Sequence, residues 1–438
     1  MNKIANHKLP LSEWRLWGAG TAGDAVYSLI RRLGLGCLFL LPAFGLAGQP
    51  LDTLLAAIPE NNPELKALEL EYRAALQIAP QVSQLPDPDL KLGWFMLPPE
   101  TRLGPQRFWW IFNQKLPWPG KLEAQKDLAL ARAAPLLEKV AARKLVLEQN
   151  LRKSWLELYR LNKLQEVIEE QLEIYESLEE VALAKVENNR GGTVDVYRIQ
   201  LQRNELQQKM TQLEIEKSKP QAEINRVLGR PSNAGVTITG FMGIPELPVN
   251  LEDLLTRITT DHPMLRILEL QQEVSRQALA VSDLDSKPDF TVGLDYFLVG
   301  KRTDADPMGN GRDILMPHVM MTIPLNKGKY RAKEQEEALR IQALDQHQLD
   351  QLNAFRSMVE MALTNYRSAQ SEIDFLDEQA YLLRTTLRVA QTDYANGKRS
   401  FEELLQLQEK LIGYKERHLA SLIRMHIVMA DLRFYLLF

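Results

Sequence analysis

Cysteine is almost missing from these 438 residues: Cys37 is the only one. A disulfide framework and a thiolate zinc site are therefore both excluded. Catalytic signatures are missing as well. There is no His-Glu-x-x-His, no Walker loop and no nucleophile elbow, so the chain reads as a non-enzyme without cofactor or metal site. A surplus of positive charge is missing too: 53 basic side chains face 57 acidic ones, a net charge of −4. With no basic stripe, nucleic acid is not an expected partner. Hydrophobic residues make up 45% and charged residues 25%, which excludes both a disordered chain and a polytopic helical membrane protein.

What is present begins at the N-terminus. Arg31-Arg32 precedes an apolar run that ends in Gly45-Leu46-Ala47. A basic region, an apolar core and a small-x-small end make 1–47 a signal peptide, cut after Ala47. The stretch before Arg31 is long for such a peptide, which points to a start codon downstream of Met1. The apolar run is shorter than the ~20 residues of a spanning helix, so a retained anchor is the lesser reading. Cys37 as a lipid-modified N-terminus is another, but Gly34 stands where a leucine is expected. Residues 1–47 hold five basic and two acidic side chains, so the remainder carries −7 and no cysteine.

The remainder repeats itself. Residues 51–97 match 251–297 at an offset of 200: Leu54-Leu55 with Leu254-Leu255, Pro63 with Pro263, Leu68-Glu69-Leu70 with Leu268-Glu269-Leu270, Pro88-Asp89 with Pro288-Asp289, Gly93 with Gly293. The match resumes at an offset of 208, with Gly120-Lys121 on Gly328-Lys329. The extra residues of the second half fall in 299–313, a Gly- and Asp-rich turn segment where insertion is tolerated. A period near 200 residues is too long for a solenoid and reads as two fused copies of one unit, 48–230 and 249–438, joined by a linker over 231–248.

Each copy carries the same elements. A helix over about 63–86 or 263–286 stops at Pro88 or Pro288. Alternating strands follow near 90–96 and 290–298, with partners near 106–116 and 314–325; each approaches the ~10 residues that cross a bilayer when tilted. A helix over about 121–188 or 329–395 comes next. At 1.5 Å per residue it spans roughly 100 Å, longer than any globular core. The heptad positions Leu137, Val140, Leu147, Leu151, Leu158, Leu161, Ile168, Leu172, Tyr175 and Ala182 predict a coiled-coil seam. Breaks at 188–192 and at Asn396-Gly397 precede returning helices over about 194–229 and 400–437. Two hairpins cannot close a barrel alone, and open strand edges are costly in lipid. The aromatic cluster of Trp94, Phe95, Phe108, Trp109, Trp110 and Phe112 suits a membrane interface. A small sheet in a soluble coiled-coil scaffold is the competing reading.

The order helix–strand–strand–helix, twice over behind a signal peptide, resembles the TolC family of outer-membrane efflux proteins across about 51–438. Gln114-Lys115-Leu116-Pro117-Trp118-Pro119-Gly120-Lys121 is similar to the strand-to-helix junction of its heavy-metal cation branch; Ile323-Pro324-Leu325-Asn326-Lys327-Gly328-Lys329 is the counterpart. The resemblance implies a mainly α fold with a membrane β-barrel part. It implies a homotrimer whose four strands per protomer close a twelve-stranded barrel in outer-membrane lipid, above a periplasmic α-barrel of long helices. Its implied partners are a periplasmic adaptor and an inner-membrane pump of the RND type. Its implied role is an exit duct for heavy-metal cations or other toxic small molecules, with the outlet of a type I protein-secretion system as the alternative. Tyr394, Arg399 and Glu403 stand at the family's gate positions, although Gln406 replaces a second acidic residue. Gly192, Thr193, Gly397 and Ser400 are small residues at the tips, suited to docking the adaptor. Met316, His318, Met320 and Met321 offer soft-metal ligands, but strand alternation splits them between faces and they read as barrel wall. Asp304-Ala305-Asp306 and Gly309-Asn310-Gly311 read as an exposed hairpin tip, and His262 as a solvated neighbour of a helix cap.

Overall fold

The computed structural model describes residues 51–437 except 190, 239, 241, 248–255, 257, 259 and 260. The expected signal peptide over 1–47, Cys37 and the Leu254-Leu255 match lie outside the described residues. Four short helices lead: α1 (Leu51–Ala56), α2 (Ile58–Asn61), α3 (Pro63–Leu76) and α4 (Ile78–Val82). Strands β1 (Asp89–Trp94), β2 (Glu100–Thr101) and β3 (Gly104–Leu116) follow, then helices α5 (Lys121–Glu187) and α6 (Thr193–Val227). The second round is α7 (Pro263–Asp285), β4 (Asp289–Val299), β5 (Ile314–Thr322), α8 (Lys327–Ala395) and α9 (Phe401–Leu436). The expected first helix is in fact two, because the chain turns at Gln77 before Pro80, whose ring removes a backbone donor. β5 also stops short of the expected 325, since Pro324 cannot donate to a ladder.

The heptad seam explains the long helices. Leu147, Leu151, Leu158, Leu161, Ile168, Tyr175 and Ala182 are all buried. Around them, α5, α6, α8 and α9 form one apolar cluster that runs to the helix ends, with Ile199, Leu206, Leu387 and Leu404 from the other three. Leu137 departs from the seam and is exposed, because α5 there packs instead against α3 and α7. No helix among the described residues is long and apolar enough to cross a membrane.

The two hairpins are not separate. β1 pairs with β3 and β4 with β5, both antiparallel, and β3 pairs with β4 over ten positions from Gln106↔Val299 to Leu116↔Phe290. The strand order is β1-β3-β4-β5, with β2 a two-residue partner of β3. One edge of β1 and one edge of β5 are left without a neighbouring strand among the described residues.

Helices α3 and α7 each begin on a buried polar cap. Asn62 accepts a hydrogen bond from Leu65 N at 3.0 Å and donates to Val227 O at 2.8 Å. His262 repeats this: its Nδ1 accepts from Met264 N at 3.3 Å and its Nε2 lies 3.2 Å from Phe434 O. The expectation of a solvated His262 is thus corrected. It is the cap itself, fully buried, with its ring against Phe355 and Phe434. The reason is the same at both helices: a cap tied to the end of the returning helix holds it more firmly when shielded from water.

Burial holds the His262 imidazole below its ordinary pKa, with the bond to Phe434 O a smaller opposing effect. A base with a lowered folded pKa is neutral in the fold and protonates more readily once unfolded, so stability is full above about pH 6.5. It falls as the pH drops through that value toward the folded one. We expect thermal unfolding to show a steeper loss between neutral and mildly acidic pH in the wild type than in His262→Asn, which supplies the Asn62 type of cap. His262→Ala leaves buried partners unpaired and should cost about 1–3 kcal/mol at neutral pH.

Candidate functional site

The strand register sorts the sheet into two faces. Leu90, Leu92 and Trp94 of β1 align with Phe112, Trp110 and Phe108 of β3, and these with Leu294, Tyr296 and Leu298 of β4. Pro317, Val319 and Met321 of β5 extend the same apolar face. It is uncovered in the chain: Trp94 is 75% and Val319 72% exposed. The opposite face is mixed but carries the charges: Lys91, Asn113, Lys115, Thr291, Asp295 and His318 share it with Trp109, Ile111 and Phe297. Such a division suits a sheet with hydrocarbon on one side and water on the other. Met316, His318 and Met320 share the polar face and Met321 the apolar one, the split that alternation predicted.

Two glycines shape the polar face. A Cβ on Gly93 would stand 2.4 Å from the Trp109 ring, and one on Gly293 would stand 2.3 Å from the His318 ring and 2.4 Å from Asn113 Oδ1. Cross-strand side chains therefore lie flat over both glycines, which no larger residue permits. His318 Nδ1 is 3.3 Å from Asp295 Oδ1, near enough for a charge contact but off line for a hydrogen bond. Among the described residues no group of three His, Cys, Asp or Glu side chains could hold a metal ion.

An ionic joint fastens the sheet to the helices. Asp289, at the start of β4, accepts hydrogen bonds from Trp118 N at 3.1 Å and from Lys121 Nζ at 3.2 Å. Lys121, at the start of α5, also reaches Asp285 at 3.0 Å, at the end of α7. Trp118 stacks on Phe290 at 6.1 Å. Gly120 makes the turn into α5 at φ 85, a conformation that glycine adopts without steric cost. The Pro117-Trp118-Pro119-Gly120-Lys121 stretch, read from sequence as a strand-to-helix junction, also ties β3 and α5 to the start of β4 and the end of α7.

At the other end of the long helices lie the tips. Gly192, Thr193, Gly397 and Ser400 are all exposed. Gly397 holds φ 74 with nothing near its missing side chain, and Ser400 caps α9 by accepting from Glu403 N. Arg399 lies 3.2 Å from Glu403 and 3.9 Å from Asp393. Tyr394 is buried against Phe401, with ring centroids 5.5 Å apart. Sequence reasoning missed Lys185. From α5 it donates to Tyr394 O, and its ammonium sits 3.4 Å from the centre of the Tyr394 ring. It caps the last turn of α8, where a cation is favoured by the exposed carbonyls, and burial lowers its pKa. Arg198 of α6 and Glu402 of α9 add a second tie at 3.2 Å. A single lysine in a charged helix gives no sequence signal for such a role.

No protein-family model and no curated protein matches the sequence. Solved structures do match in fold. The outer-membrane channel OprN superposes with a TM-score of 0.71 at 16% identity, over 88% of this chain and 89% of that one. CusC, solved for the conformational changes accompanying its folding and transmembrane channel formation, gives 0.72 at 15% identity, over 89% and 92%. The Campylobacter jejuni CmeC outer membrane channel gives 0.69 at 11% identity, over 88% and 85%. The fold is thus that of outer-membrane channels along nearly the whole of both chains.

The joint predicts a measurable loss. Asp289→Ala strips the bonds from Trp118 N and Lys121 and leaves Lys121 with Asp285 alone. Hydrogen bonds to a charged group contribute roughly 1.5–3 kcal/mol each when buried. We expect a lowered thermal midpoint in Asp289→Ala and an intermediate one in Asp289→Asn, which still accepts from Trp118 N.

Proposed function

We propose that the chain is the outer-membrane exit duct of a tripartite efflux pump. The observation that carries this reading is the sheet: apolar on one face, with its charges on the other, and open at both edges. A soluble scaffold would bury that apolar face, since exposed patches of this kind mark interfaces. An open edge in hydrocarbon leaves unpaired backbone groups at several kcal/mol each, so the sheet must close with other copies. In this reading residues 1–47 direct export, and 48–230 and 249–438 are duplicated halves joined through 231–248. Three protomers close a twelve-stranded barrel, and their long helices continue it into the periplasm.

The tips then face the rest of the pump. Gly192, Thr193, Gly397 and Ser400 dock a periplasmic adaptor, which connects the duct to an inner-membrane RND-type pump. Tyr394, Arg399 and Glu403 form the gate, with Tyr394 as the packed pivot and Arg399 and Glu403 as its charged rim. The cargo is heavy-metal cations or other toxic small molecules; the junction sequence favours the cations.

A strain deleted for the gene should lose resistance to metal salts, and unchanged resistance to salts, dyes and detergents would refute the efflux role. Replacing Gly397 with tryptophan should abolish export without reducing membrane assembly. In planar bilayers, Arg399→Ser should raise conductance. Exposed ion pairs contribute about 0–1 kcal/mol, so the loss shifts the open-to-closed ratio by at most about fivefold for each protomer, and the trimer repeats it three times. Glu403→Ala should weaken block by multivalent cations added from the tip side. A wild-type response in both variants would remove Arg399 and Glu403 from the gate.

A further inference from the structure

Two cross-strand rows of the sheet share a backbone arrangement and differ in chemistry. In one, Gly93 pairs with Trp109, and Phe95 stands two residues beyond the glycine. In the other, Gly293 pairs with His318, and Asp295 stands two residues beyond the glycine. Each glycine leaves room for a ring from the strand beside it. The tryptophan shows that an apolar ring fills this place well. Packing alone therefore does not call for an imidazole and a carboxylate in the second row.

The second row also leaves polar atoms unsatisfied. Asp295 Oδ1, His318 Nδ1 and Asn113 Oδ1 are all buried, and none has a hydrogen-bond partner. Asp295 as a whole is only 7% exposed. Asn113 Oδ1 and His318 Nε2 both lie over Gly293, each 2.4 Å from where a Cβ would stand. A buried carboxylate oxygen without a donor is costly, and such a group asks for a water or an ion. Lys115 and Lys91 on this face do not supply the charge. Lys115 is engaged by Asp289 at 3.4 Å, and Lys91 stands across Ile111 from Asp295, two strands away.

We propose that Asp295 and His318 bind a divalent cation of borderline hardness, such as zinc or cobalt, while Asn113 holds a water of that metal. The proposal rests on the reading of the chain as a duct for metal cations, and places one stop on its wall. Asp295 Oδ1 and His318 Nδ1 are 3.3 Å apart and off line for a hydrogen bond. Two metal–ligand bonds of ~2.1 Å that span this gap meet at roughly 105°, close to the tetrahedral angle. The two atoms are thus spaced as neighbouring ligands of one ion. With the metal on Nδ1, the ring proton sits on Nε2. Asn113 Oδ1 accepts a hydrogen bond from a metal-bound water, so all three unsatisfied atoms gain partners. Carboxylate with imidazole suits zinc, cobalt or nickel better than the softer copper(I) or silver. Gly293 keeps the place clear, because a Cβ there would collide with both the ring and the amide. Two protein ligands leave the remaining positions to water, which keeps binding weak and exchange quick.

The test uses the untagged full-length chain in detergent, stripped of metal by a chelator and dialysed against zinc or cobalt. Cobalt should give the intense visible bands of a tetrahedral site. Asn113→Ala should weaken binding about tenfold, as loss of a group behind the ligands does, and Asp295→Asn and His318→Gln by more. His347→Gln, at an exposed position of α8, should leave binding unchanged. Zinc should raise the thermal midpoint of the wild type and of His347→Gln but not of the two ligand variants, whose metal-free midpoints report that they are folded. No binding at millimolar metal, or equal binding by wild type and ligand variants, overturns the site and leaves Asp295 and His318 a contact between acid and base. Silver bound more tightly than zinc, and released in Met316→Leu or Met320→Leu, overturns the ligand set. Any of these failures leaves the duct reading standing, since the resistance of the deletion strain decides that separately.

Discussion

In the channel reading proposed above, the backbone of the four-stranded sheet lies in hydrocarbon and must be hydrogen-bonded throughout, which one chain alone cannot do. That constraint organises the rest of the molecule. Pairing β3 with β4 makes a single sheet of two hairpins and satisfies two of the four outer edges. It also fixes the phase of all four strands, so the charged side chains gather on one face and the other is almost wholly apolar. Gly93 and Gly293 matter here because they let Trp109 and His318 lie across the neighbouring strand instead of forcing the sheet apart.

The sheet acts on the helices through a small, largely buried set of charges. Asp289 holds both the turn backbone at Trp118 and the Lys121 ammonium, and Lys121 reaches on to Asp285. One carboxylate thus ties the end of a strand, the start of a long helix and the end of a short one. Desolvation of a buried ion pair offsets much of its attraction, so the joint contributes geometry more than stability. It sets the angle at which α5 leaves the sheet. Over about 67 residues a small change in that angle becomes a large displacement at the tip.

The elements of the fold were legible in the sequence because each obeys a local period: two in the strands, seven in the seam of α5. Pro88, Pro288 and the glycines near 191 and 397 marked the ends. What was not legible depends on partners distant in sequence. The pairing of β3 with β4 brings together residues far apart in the chain, and no alternation pattern reveals it. His262 looked solvated because its neighbour Asp261 is charged; its burial follows from the end of α9, more than 170 residues away. At the tips, Gly397 and Ser400 were legible as turn and cap residues. Lys185 was not, because its partner is a backbone carbonyl that any residue carries.

The same asymmetry between local and distant contacts bears on how the tips can move. Their cores are apolar and packed: Tyr394, Phe401 and Leu404 sit in one cluster with Val196 and Ile199. Packed side chains of this kind do not deform by degrees. Near the tips the polar ties between the hairpins run from Lys185 to Tyr394 O and from Arg198 to Glu402, with Lys209–Glu416 and Lys415–Glu170 further along the helices. The cluster joins both hairpins, so in the gate reading proposed above a tip moves as a packed unit and the polar ties only bias its position.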